Sequence, residues 1–243
     1  MPAPIDFYFD FSSPYGYLAA TRIEALAAKH GRWVNWQPIL LGAVFKVTGG
    51  QPLPNLPLKG DYAKRDMARC ARLLGAAFNY PSKFPISGVA PSRAMTWVQS
   101  RDQQKAKDLA LALYRAFFVE DRDISNPDVT VQVALELGHD KDQVIAGMND
   151  QATKDTLKKE VEAAMAKGVF GSKITFAKSA YAALKDADAL ICGLAGSCMT
   201  HLERIDSILG FVCPELNCKA IHADAMQPRQ QARNKVEVFF NHV

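Results

Sequence analysis

The segment from Ile5 to Leu18, IDFYFDFSSPYGYL, constrains the fold more than any other part of the chain. It reads as a strand that runs directly into a helix, with Ser13-Pro14 at the junction. Ile5, Phe7 and Phe9 alternate with Asp6, Tyr8 and Asp10, the pattern of a strand with one face in a core. Ser13 has the chemistry of an N-cap, and Pro14 suits the first helical position, where its missing N–H costs nothing. A group held at such a turn faces unpaired backbone N–H groups and the positive end of the helix dipole, and so can meet an anion. The same two residues serve equally well as an ordinary helix cap, and the motif alone leaves both readings open.

The following helix sets Tyr15, Ala19, Ile23 and Leu26 on one apolar face and stops near Gly31. Trp33-Val34-Asn35-Trp36 reads as a second strand, closed by Pro38, with both tryptophans assigned to the core. A β-α-β unit of this kind predicts parallel pairing with a right-handed crossover. Next comes a Pro- and Gly-rich loop, TGGQPLPNLPLKG from Thr48 to Gly60, of a length that is usually functional or mobile. From Asp61 to about Lys167 the signals are nearly all helical: Asp61–Leu74, Pro91–Gln99, Lys105–Phe118, a helix opened by Asn126-Pro127 and ending at Gly138, Asp140–Met148, and Ala152–Lys167. The expected architecture is α/β: a domain formed by residues 1–60 and 168–243, interrupted by an all-helical insertion over 61–167. A chain of 243 residues with 49% hydrophobic composition can bury the core this requires.

The charge pattern bounds the partners. The net charge of +4 is spread along the chain without a basic block, which argues against nucleic acid and is compatible with an acidic substrate. The first strand begins within about five residues, leaving no room for a leader, and no apolar run approaches the ~20 residues that span a bilayer. A cytoplasmic protein with no membrane association is expected. The five cysteines form no C-x-x-C pair, so neither a dithiol redox site nor a zinc ribbon is present in the sequence. Cys192, Cys198, Cys213 and Cys218 lie near His201 and His222 at spacings that match no common metal site, and free thiols with no metal are expected.

DFYFDFSSPYGYLA resembles the start of 2-hydroxychromene-2-carboxylate isomerases, relatives of kappa-class glutathione transferases and bacterial disulfide oxidases. KGDYAKRDMARCARLLG (Lys59 to Gly75), YPSKFP (Tyr80 to Pro85), PSRAM (Pro91 to Met95) and GVFGS (Gly168 to Ser172) extend the likeness over residues 4 to about 172. The resemblance implies a thioredoxin-like domain carrying a helical insertion. It also implies a homodimer that uses glutathione as cofactor and acts on a small aromatic carboxylate. Redox relatives carry C-x-x-C where this chain has Ser13-Pro14-Tyr15-Gly16. Without those sulfurs disulfide exchange has no attacking thiolate of its own. A hydroxyl there can instead donate a hydrogen bond to the thiolate of glutathione and lower its pKa.

The resemblance therefore implies Ser13 as the catalytic residue, with Ser13, Pro14, Phe170 and Gly171 meeting glutathione. Asn55, Tyr62 and Arg93 are the implied substrate contacts, Arg93 as a bidentate clamp for the carboxylate or else an ordinary surface residue. Tyr62, Asp66 and Arg69 fall on one helix face, where Asp66 and Arg69 are either part of the site or a surface ion pair. After Ser172 the likeness stops: Lys173 follows, no proline occurs before Pro214, and no tryptophan follows Trp97. KITFA (Lys173 to Ala177), ALIC (Ala189 to Cys192) and VEVFF (Val236 to Phe240) are candidate substitute strands. Three functions remain open to the sequence: glutathione-dependent cis–trans isomerisation in aromatic hydrocarbon catabolism, conjugation of an electrophile by a kappa-like glutathione transferase, and an inactive or binding-only relative.

Overall fold

A computed structural model describes residues 4–169 and the short strand 189–191. Phe170, Gly171, the four late cysteines and the candidate strands KITFA and VEVFF lie outside the described residues. The chain opens with β1 (Ile5–Phe9), α1 (Pro14–Ala20), α2 (Ile23–Lys29) and β2 (Val34–Pro38). β1 and β2 pair in parallel, Ile5 opposite Val34 and Phe9 opposite Pro38, as the β-α-β reading requires. On the other side of β1 lies β3 (Ala189–Ile191), also parallel, with Phe7 opposite Leu190. The sheet order is thus β2-β1-β3, with β1 at the centre, and β3 falls within the ALIC segment.

The crossover is two helices rather than one. The Thr21 hydroxyl donates to the Leu18 carbonyl at 2.7 Å, and the N–H of Arg22 bonds to Ala19 three residues back. Local bonding of this kind competes with the regular helical ladder and turns the chain. The buried positions beyond the break are Ile23 and Ala27, while Leu26 is only half-buried. β1 is also covered on both faces, not one. Phe7, Phe9 and Trp36 meet in edge-on and stacked ring contacts on the first face, where Tyr114 also packs. On the second face Tyr8 joins Ile39, Leu157, Val161, Ala164 and Val169. Strands of parallel sheets are normally buried this way. Trp33, expected in the core, is 47% exposed and stands just before β2 begins.

After β2 comes α3 (Leu41–Thr48), a helix the sequence pattern does not announce, and a single 3-10 turn (Leu53–Asn55) inside the Pro/Gly loop. Six helices follow: α4 (Lys59–Leu73), α5 (Val89–Gln99), α6 (Gln103–Phe118), α7 (Pro127–Glu136), α8 (Lys141–Asn149) and α9 (Gln151–Ala166). The starts of α6, α7, α8 and α9 are set by side-chain caps. Asp102, Asn126, Asp140 and Asp150 each accept a backbone N–H from the first turn that follows. Leu109, Leu113 and Phe117 line the buried face of α6 as their spacing predicts. α9 returns to cover the second face of the sheet, which places the helical layer against β1 and β2.

Candidate active site

The site is built where β1 ends. Asp10 closes the strand, and a tight turn through Phe11 and Ser12 delivers Ser13 to the start of α1. The Asp10 carboxylate organises that turn. Its Oδ1 accepts the Ser12 N–H at 2.7 Å and the Ser12 hydroxyl at 2.6 Å, and its Oδ2 accepts the Leu41 N–H at 2.7 Å from the first turn of α3. The Asp10 carbonyl accepts the Ser13 N–H at 2.9 Å and the Tyr114 hydroxyl at 2.9 Å. Burial pushes the Asp10 carboxyl above its ordinary value, and the bonds from Ser12 and Leu41 pull it part of the way back.

Ser13 is the N-cap of α1, with Pro14 at N1 as the sequence predicts. Its Oγ accepts the Gly16 N–H at 3.0 Å, and its backbone is extended (φ −90, ψ 112). The residue is buried. Among the described residues no acceptor takes the hydroxyl hydrogen of Ser13, so that hydrogen can be donated to a ligand. Gly16 closes the turn against α6: a Cβ at this position would stand 2.8 Å from Tyr114 Oη and 3.3 Å from Ser13 Oγ.

Two further elements converge on this turn. Tyr15, the residue after Pro14, donates from its hydroxyl to Asp66 Oδ2 at 2.7 Å, joining α1 to α4. Asp66 is fully buried and also accepts from Arg69 at 3.0 Å and from the Cys70 thiol at 3.6 Å. The Asp66–Arg69 pair is therefore anchored beneath α4 rather than lying on its surface. Tyr62, one turn earlier on the same face, is 44% exposed, and its ring lies beneath the Arg69 guanidinium at 5.8 Å. Asn55 ends the 3-10 turn and is exposed; that turn packs on the start of α4, where a Cβ on Gly60 would collide with the Pro54 carbonyl.

The second element is α5. Its cap residue Gly88 abuts Asp10, with a built Cβ only 3.2 Å from Asp10 Oδ1. Arg93 follows five residues on, about 7 Å along the helix axis. It is half-buried between the buried Ser92 and Ala94, and no carboxylate among the described residues pairs with it. The structure thus gathers Ser13, Asp10, Tyr15 and Tyr114 into one packed unit, which α4 meets through Asp66 and α5 through Gly88. Sequence reasoning missed two members. Asp10 carries a signal, since Asp-x-Ser favours a side chain that accepts the N–H two residues on. Tyr114 carries none, because it reaches Asp10 across 104 positions of the chain.

A parallel β-α-β unit with a capped strand-to-helix turn and a helical layer folded back on its sheet defines a thioredoxin-like protein. The chain belongs to the family described as the DSBA-like thioredoxin domain, which matches residues 4–189. It is 28% identical over 177 residues to a 2-hydroxychromene-2-carboxylate isomerase of Pseudomonas putida, covering 71% of this chain and 84% of that protein. It is 24% identical over 178 residues to glutathione S-transferase kappa 2 of Caenorhabditis elegans, covering 69% of this chain and 78% of the relative. Among solved structures, a 2-hydroxychromene-2-carboxylate isomerase superposes with a TM-score of 0.64 at 25% identity, over 86% of this chain and 95% of that one.

Among the described residues no cluster of His, Cys, Asp and Glu could hold a metal, and no helix is long and apolar enough to cross a membrane.

Proposed function

We propose that the protein is a glutathione-dependent cis–trans isomerase acting on 2-hydroxychromene-2-carboxylate or a related aromatic carboxylate. The observation that carries this reading is the Ser13 hydroxyl. Its oxygen is held by the Gly16 N–H at the N-terminus of α1, and among the described residues its hydrogen meets no acceptor. The turn has no sulfur of its own, so the residues fit a thiol brought by a ligand and not a protein dithiol.

Glutathione, when bound, would supply a thiolate able to add reversibly to a conjugated double bond. The chain's own residues make that possible. Ser13 Oγ–H donates to the sulfur, and the N-terminal N–H groups of α1 favour negative charge beside it. Both effects lower the thiol pKa and hold the proton off the sulfur at neutral pH. Asp10 and Tyr15 keep the turn rigid, so that no reorganisation is needed when charge develops. Arg93, which no carboxylate among the described residues pairs with, offers a guanidinium to the substrate carboxylate. Tyr62 and Asn55 are the candidate substrate contacts beside α4, and Pro14 is a candidate contact for glutathione; Phe170 and Gly171 lie outside the described residues.

The kappa-class relative favours a second reading, in which the same Ser13 activates glutathione for conjugation to an electrophile. One assay separates the two. With the chromene carboxylate and substoichiometric glutathione, absorbance change over many turnovers with glutathione recovered supports the isomerase. Stoichiometric loss of glutathione assigns the chain to conjugation, and no change with either substrate class overturns both. Ser13→Ala is expected to lower turnover by a factor of about 10², as for loss of one preorganised donor. Turnover within twofold of the parent would refute the role of Ser13.

A further inference from the structure

We propose that Tyr114 is a positioning residue for the Ser13 turn, an inference that rests on Ser13 as the working hydroxyl. Tyr114 stands on α6, a helix of the inserted layer, and is fully buried. Its hydroxyl donates to the Asp10 carbonyl, the same oxygen that receives the Ser13 N–H. One carbonyl therefore ties the cap residue to the helical layer. The second contact is steric. Tyr114 Oη fills the space directly behind Gly16, as the 2.8 Å approach to a built Cβ shows. Gly16 is in turn the residue whose N–H holds Ser13 Oγ.

Hydroxyl and glycine thus act as a matched pair. Tyr114 sets the height of the turn from below, and Gly16 is the residue that allows it to come so close. The consequence for Ser13 is orientation. With Gly16 pinned, its N–H meets the lone pair of Ser13 Oγ and the hydroxyl hydrogen is left on the ligand side. A further consequence is exclusion. Position 16 is where redox relatives place their second sulfur, and with Tyr114 in place a side chain there meets an occupied site. The ring of Tyr114 has a separate structural role, packing against Phe9, Phe11, Tyr17 and Phe118. Tyr114→Phe removes the hydroxyl and leaves this packing.

The test uses a reporter that needs no glutathione. Ser13→Cys puts a thiol at the cap, and its alkylation by iodoacetamide is followed against pH by mass spectrometry of the peptide that contains it. Apart from the Tyr114 hydroxyl, which is the group tested, the ionisable groups around it, Asp10 just after β1, Tyr15 on α1 and Asp66 on α4, are the same in every variant compared. The midpoint in Ser13→Cys is expected below the ordinary thiol value of about 8.5. Adding Tyr114→Phe is expected to raise it by about half a unit, about a threefold loss of thiolate at fixed pH. Gly16→Ala added to Ser13→Cys should do the same by displacing Tyr114 Oη, and the two changes combined should exceed neither alone by much, because they break one contact. An unchanged midpoint in either folded variant overturns the proposal. Calorimetry of glutathione with the parent chain tests the reading of Ser13 separately, since failure to bind leaves the alkylation profiles intact.

Discussion

Asp10 is the residue on which the local structure turns. Its carboxylate holds three donors from two elements while almost wholly shielded from water. Burial raises its pKa above the ordinary carboxylate value, so the folded chain binds a proton at Asp10 more tightly than the unfolded chain does. The stability Asp10 lends is then greatest below the unfolded pKa of about 3.9 and declines as pH rises through the folded value. Asp10→Asn has no such titration. It also turns an N–H donor toward Ser12 or Leu41, a loss of about 1–3 kcal/mol. Urea unfolding should therefore find the variant less stable at neutral pH, with the gap widening on acidification toward pH 4. A gap that stays constant or narrows would contradict the burial argument. Ser13 and Pro14 were legible in the sequence because capping is local chemistry. The burial of Tyr8 was not, because the alternation along β1 records polarity and says nothing of a helix that arrives some 150 residues later.

At the scale of elements, the capped helices were readable and the junctions were not. Asn126-Pro127 opens α7 as its side chains dictate, whereas α3 lacks a side-chain cap and starts where Asp10 binds its first turn. The face of Tyr62, Asp66 and Arg69 was visible from spacing alone. Its orientation was not, since the partner that buries Asp66 is Tyr15 on another helix. That bond is the tie between α1 and α4, and it can be tested without touching Ser13. Tyr15→Phe keeps the ring and leaves the Asp66 carboxylate, among the described residues, with Arg69 and Cys70. A loss of about 1.5–3 kcal/mol is expected for a buried bond to a carboxylate, measured by urea unfolding. A loss under about 0.5 kcal/mol would mean that α4 is held to α1 by packing alone.

For the whole molecule, the question is what joins the helical layer to the sheet that carries the site. Two kinds of contact bridge them on the second face. One is polar: Lys167, just past α9, reaches Asp6 at 3.2 Å and the Tyr8 hydroxyl at 3.0 Å. The other is apolar, with Leu157, Val161 and Ala164 of α9 packed on Tyr8 and Ile39. Magnitudes decide between them. The Lys167 side chain is 58% exposed, and an exposed ion pair contributes at most about 1 kcal/mol. Leu157 is 3% exposed, and truncating a buried leucine to alanine removes about 2–5 kcal/mol. The parallel β-α-β unit and the helical run were both legible from periodicity, but their union was not, because each pattern is local and this face is made by residues from opposite ends of the described chain. Leu157→Ala should therefore lower the unfolding free energy several-fold more than Lys167→Ala, which is expected to stay within about 0.5 kcal/mol of the parent. Equal losses in the two variants would show that the charged pair, and not the α9 stripe, holds the layer to the sheet.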